Sequence, residues 1–70
     1  MTHYIVNLNA QSNGDHEVHN KTTGCIFMPD PSNQLNLGHH ESCHEAVVEA
    51  RRYCKQANGC RHCTGECHSS

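Results

Sequence analysis

Apolar and polar positions alternate near the start of the chain. Tyr4, Val6 and Leu8 take one side of a period-two pattern, and Ile5, Asn7 and Asn9 take the other. That period suits a half-buried strand. Gln11-Ser-Asn-Gly14 then carries turn chemistry, with Asn13-Gly14 able to adopt positive φ. Asp15 to His19 resumes an extended pattern, so residues 3–19 are expected to form a β-hairpin with Val18 facing the core. Lys21-Thr-Thr-Gly24 signals a second turn. Cys25-Ile-Phe-Met28 follows as a short apolar run, stopped by Pro29 and Pro31. Leu35 and Leu37 are spaced for a last short strand that Gly38 ends.

The pattern then changes period. Cys43, Val47, Ala50 and Cys54 fall on one helical stripe, and a helix is expected over 42–57. Ser42 is a good N-cap residue, and Glu45 stands at capping-box spacing from it. Glu41, Glu45 and Glu49 lie toward the start of this segment, and Arg51, Arg52 and Lys55 toward its end. That order complements the helix dipole. Asn58-Gly59 supplies a stop. Residues 59–68 then form a Cys-rich knuckle. The fold class expected is α+β, with a short antiparallel sheet of three or four strands, one helix and this knuckle. No repeat, low-complexity tract or linker divides it, so residues 1–70 are read as one domain.

Composition explains why such a chain needs a clip. Large apolar side chains are few, and a domain of 70 residues has little surface to bury. Six cysteines and eight histidines offer metal ligands in their place. The net charge of −2, with Lys21, Arg51, Arg52, Lys55 and Arg61 as the cations, does not favour a nucleic-acid partner. The N-terminal segment has neither the basic start nor the apolar run of a signal peptide, and no segment reaches membrane-spanning length. A cytoplasmic location with reduced thiols is expected.

Cys60 and Cys63 form a C-x2-C step on a turn, a pair that grips two corners of a tetrahedral metal. Cys25, just after Gly24, is the expected third ligand. The fourth corner is open between His19, Cys67 and His68. His19 would come from a separate strand and close a long loop, whereas Cys67 would crowd three ligands onto one short loop. Cys43 and Cys54 share the apolar helix stripe and are read as core. His39, His40 and His44 gather near the helix start, where solvation is favoured over a second metal.

From residue 16 to residue 63 the order of these features resembles a known family. Val18-His19 ends a strand, a turn leads to Cys25, and Asn36-Leu-Gly precedes the capped segment Ser42-Cys-His-Glu-Ala46. Gly59-Cys-Arg-His-Cys63 closes the pattern. The order is similar to that of the zinc-binding N-terminal domain of Ada-type DNA alkylation-repair proteins and of small stand-alone Ada-like domains. The resemblance implies His19, Cys25, Cys60 and Cys63 as ligands of one Zn2+ per chain, while the residues themselves keep Cys67 as the alternative fourth. The spacer between His19 and Cys25 is longer than the family usually has, and Cys43, Cys54 and the Cys67-His68 tail are additions. In the repair proteins a zinc-activated cysteine at the first ligand position accepts a methyl group. Here that position is His19, which argues against methyl-acceptor activity.

The leading functional expectation is a structural zinc module that docks another protein. The alternatives are a thiol-active metal-handling or redox-sensing protein and a nucleic-acid-binding zinc knuckle. No Ser/His/Asp order and no phosphate loop point to an enzyme, and no catalytic residue is assigned.

Overall fold

The computed structural model describes residues 1–68; Ser69 and Ser70, the end of the expected domain, lie outside the described residues. The chain is α+β. Strands β1 (Thr2–Asn7), β2 (His16–Asn20), β3 (Gln34–His40) and β4 (Ala57–Gly59) form one sheet in the order β3-β1-β2-β4, with helix α1 (Cys43–Ala50) between β3 and β4. Short 3-10 turns occupy Pro31–Asn33 and Gly65–Cys67.

The sheet is mixed rather than wholly antiparallel. β1 pairs antiparallel with both β2 and β3, but β4 runs parallel to β2, with Val18 opposite Gly59. The excursion through β3 and α1 returns the chain to β2 from its starting end, so the new strand lies parallel. Ala57-Asn58-Gly59 has no β-branched or aromatic residue. Its pairing comes from tertiary context, not propensity.

β1 buries both of its faces. Tyr4 and Val6 pack with Val18, Leu37, Ala46, Val47 and Ala50 in the core beneath α1. Ile5, opposite His19 in the register, points to the other face, and both residues are buried. The sheet is therefore covered by the helix on one side and by the loop and knuckle on the other.

Three boundaries differ from the sequence expectation. β3 runs through Gly38 instead of ending there. The register skips between Tyr4 and Ile5, which face Gly38 and Asn36, so Leu37 is the extra residue of a bulge. Gly38 sits at φ +79°, a conformation glycine adopts without the cost of a Cβ. The helix expected over 42–57 ends at Ala50. Beyond it Arg52 N–H bonds Glu49 O and Tyr53 N–H bonds Ala50 O, a tighter winding that turns the chain toward β2. Finally, Cys25–Met28 is a turn closed by Met28 N–H on Cys25 O, with Ile26 89% exposed. Among the described residues no strand pairs with this run, and its Ile26 and Phe27 stay exposed.

The helix start is only partly capped as its sequence suggests. Ser42 is the extended N-cap residue, but its hydroxyl makes no cap bond. The Glu45 carboxylate instead accepts Glu41 N–H at 3.4 Å and approaches His40 Nδ1 at 3.5 Å.

Candidate metal centre

On the sheet face opposite α1, three separate segments bring one imidazole and three thiols together. Each arrives for a local reason. His19 is carried by β2, whose alternation sends Val18 to the helix core and His19 to the other side. Cys25 is offered by the turn after Gly24. Cys60 follows β4 directly, and its N–H bonds Val18 O at 3.0 Å, continuing the parallel ladder. Cys63 lies one turn further on, where Thr64 fixes the knuckle: its hydroxyl reaches Val18 O at 2.9 Å and Cys60 O at 3.1 Å.

The ligand atoms of His19, Cys25, Cys60 and Cys63 all lie within 4.8 Å of one another. Two of the separations can be set against coordination geometry. Cys25 Sγ is 3.8 Å from Cys60 Sγ, and Cys63 Sγ is 3.5 Å from His19 Nδ1. Metal–sulfur bonds of about 2.3 Å and metal–nitrogen bonds of about 2.0–2.1 Å give tetrahedral edges of about 3.8 Å and about 3.6 Å. The cluster has the dimensions to hold a metal ion.

Electrostatics point the same way. Burial lowers the pKa of His19 below its ordinary value, against the opposing pull of Glu17, so the ring is held neutral, as a ligand must be. Its Nε2 is buried without a hydrogen-bond partner, and the nearest acid, Glu17 Oε1, is 3.8 Å away. With Nδ1 toward the thiols, Nε2 carries the proton and faces that carboxylate. This is the arrangement by which an outer carboxylate orients a ligating histidine. Burial pushes the Cys63 thiol up to about 12, with Cys25 and Cys60 adding to it and the Asn20 N–H, 3.3 Å from Sγ, opposing. Burial also raises Cys60. Cys60 and Cys63, reluctant to ionise alone, ionise readily on a cation that replaces their protons.

Glu17, Asn20 and Thr64 are contributors the sequence reading did not single out. Glu17 was detectable, because it stands two residues before His19 and so shares its strand face. Asn20 acts through its backbone, which leaves no residue-type signal.

The remaining candidates lie elsewhere. Cys67, the alternative fourth ligand, is bonded to Cys43 in a disulfide, with Cα atoms 6.2 Å apart. Cys43 is buried, as a core residue should be, but it is also half of a cross-link. The expectation of reduced thiols in a cytoplasmic chain is not met by Cys43 and Cys67, while Cys25, Cys54, Cys60 and Cys63 carry free thiols. The reason is topological: the knuckle wraps around the β4 edge, so Cys67 meets the start of α1 instead of the metal cluster. Cys54 is buried in the helix-side core. His68 Nδ1 lies 3.0 Å from Gly59 O. His39, His40 and His44 do not converge: His39 stacks on His3, His40 Nε2 meets Leu37 O, and His44 sits beside the disulfide. Among the described residues no helix is long and apolar enough to cross a membrane. No protein-family model, curated protein or solved structure matches the chain.

Proposed function

We propose that the chain is a structural zinc module. One Zn2+ is held by His19 Nδ1 and by the sulfurs of Cys25, Cys60 and Cys63. The agreement of the 3.8 Å and 3.5 Å separations with tetrahedral edges carries this reading. Four protein ligands leave no open position for substrate, which favours a structural over a catalytic role. Tetrahedral sulfur-rich coordination favours zinc over the harder divalent ions. A compartment that keeps these three thiols reduced, such as the cytoplasm, suits the site.

Protein docking is the function this module would serve. The Cys25 turn that supplies a ligand also displays Ile26 and Phe27, 89% and 52% exposed, so metal binding would fix an apolar surface in place. Phe27 lies against His62 of the knuckle, ring centroids 4.5 Å apart, which links that surface to the Cys60–Cys63 segment. The order of ligands along the chain supports the Ada-like reading, with His19 in place of a methyl-accepting thiolate. The net charge of −2 weighs against nucleic acid as the partner.

Native mass spectrometry of the chain, with its disulfide intact, tests the proposal. One zinc per chain is expected, lost from the His19→Ala variant at chelator concentrations the parent resists. Cobalt substitution should give the charge-transfer intensity of three thiolates. A folded chain that takes up no metal, or a four-sulfur cobalt spectrum, would defeat it.

A further inference from the structure

The geometry points to a second metal site, formed by Cys43, His44 and Cys67, that the disulfide keeps closed. The two sulfurs and an imidazole nitrogen of His44 lie within 4.8 Å of one another. They stand at the start of α1, on the sheet face away from the first centre. Cys43 is buried and His44 is exposed, so an ion there would have the protein behind it and solvent at its fourth position. Among the described residues no side-chain hydrogen bond or ion pair engages the His44 imidazole. A site of two thiolates and one imidazole suits a thiophilic ion, and the open position makes it exchangeable.

The site requires the two sulfurs to stay neighbours once the bond between them is broken. The knuckle supplies that independently of the disulfide. Cys67 N–H bonds Thr64 O at 2.9 Å, His68 Nδ1 lies 3.0 Å from Gly59 O, and the Thr64 hydroxyl ties the segment to Val18 and Cys60. Gly59 lets Cys67 pack directly on β4. With Cα atoms 6.2 Å apart, side-chain rotation alone can open the sulfurs to the separation of about 3.8 Å that a shared ion needs. The start of α1 adds partial positive charge beside Cys43, which favours its thiolate.

The switch balances simply. A dithiol reductant transfers two electrons and two protons to the disulfide, becoming a disulfide itself and leaving Cys43 and Cys67 as thiols. A divalent ion then displaces both protons. Attack on the loaded site by a small-molecule disulfide re-forms the Cys43–Cys67 bond, releases the ion and leaves two small-molecule thiolates. Metal binding at this site is thereby conditional on reduction, while the first centre stays loaded in both states.

The test is an anaerobic cobalt and zinc titration of the full chain before and after treatment with a dithiol, the reductant then removed. The oxidised chain should bind one equivalent, and the reduced chain a second of lower affinity, which a disulfide oxidant expels. His44→Ala retains the disulfide and the first centre, and should weaken only the second equivalent, by at least tenfold. Cys67→Ser should abolish it. A reduced chain that still binds one equivalent, a second equivalent indifferent to His44→Ala, or loss of the fold on reduction would each overturn the proposal. Failure of the one-zinc reading would instead appear in the oxidised chain.

Discussion

Gly59→Ala is the substitution that most directly asks whether the knuckle must sit where it does. A Cβ at this position would lie 2.7 Å from the Thr64 carbonyl oxygen and 2.8 Å from both the carbonyl carbon and the Cβ of Cys67. These are backbone and near-backbone atoms, so no side-chain rotation relieves the contact. Gly59 has no positive φ, so the penalty is one of space and not of backbone conformation. Restoring ordinary contact moves the knuckle away from β4 by about 0.6–0.7 Å, and overpacking of this kind costs about 1–3 kcal/mol. Coordination distances tolerate only about 0.2 Å, so Cys60 and Cys63 cannot follow that movement and stay matched to His19 and Cys25.

If the metal-free knuckle can drift outward, the cost falls on the metal-bound state. The affinity loss is then about 5-fold to about 150-fold. Competition against a chromophoric chelator measures it, with denaturant unfolding of the metal-loaded protein run alongside. Gly65→Ala is the control, because a Cβ there meets nothing within 4 Å and should change stability by no more than about 0.5 kcal/mol. A Gly59→Ala protein with parental affinity and stability, or a Gly65→Ala protein equally damaged, would refute the reasoning.

Three further outcomes are expected. Glu17→Gln should lower metal affinity about 10-fold to about 100-fold without altering the ligand count, since it weakens the acceptor facing His19 Nε2; unchanged affinity would remove Glu17 from the site. Cys54→Ala should cost about 1–2 kcal/mol as a small core cavity and leave metal content unchanged, and loss of metal would show Cys54 to be a ligand. Because burial lowers the His19 pKa from 6.5, the unfolded chain binds the extra proton first. The stability from that histidine is present above about pH 6.5 and lost as pH falls through the lowered folded value. Acid titration of the metal-free protein, followed by amide dispersion, should show this loss in the parent and not in His19→Ala. A parent indifferent to pH across that window would contradict it.

The sequence displayed some of this architecture and concealed the rest for identifiable reasons. The alternation of Tyr4 and Val6 marked β1, and the 43-47-50 stripe marked α1, because these residues pack together in the helix-side core. Cys25, Cys60 and Cys63 could be named from residue type and spacing, whereas His19 was singled out through the resemblance in feature order; the structure brings all four together. β4 was invisible: Ala-Asn-Gly has no strand propensity and is held by pairing to β2. The expected end of α1 at residue 57 overshoots because the stripe continues through Cys54, which stays buried after the helix stops at Ala50. The Cys43–Cys67 bond was hidden too. Six cysteines permit fifteen complete pairings, and the choice depends on how the knuckle rounds the edge of β4.

That rounding explains why so small a chain can keep a four-stranded sheet. Half of the buried helix-side core is small residues, Ala46, Ala50, Ala57, Cys43 and Cys54, and burying these contributes little each. The opposite face holds Ile5 and His19, both inaccessible to solvent, under a cover of loop and knuckle. A cover with so few apolar residues has weak hydrophobic reason to stay, and an uncovered His19 would be solvated and free to protonate. A metal ion bound as proposed would supply the missing attraction, drawing β2, the Cys25 turn and the knuckle to one point. The disulfide does the corresponding task on the other face, fastening the same knuckle to α1. One short segment, residues 60–67, thus closes both sides of the sheet, and β4 persists because it is the strand around which that segment is wrapped.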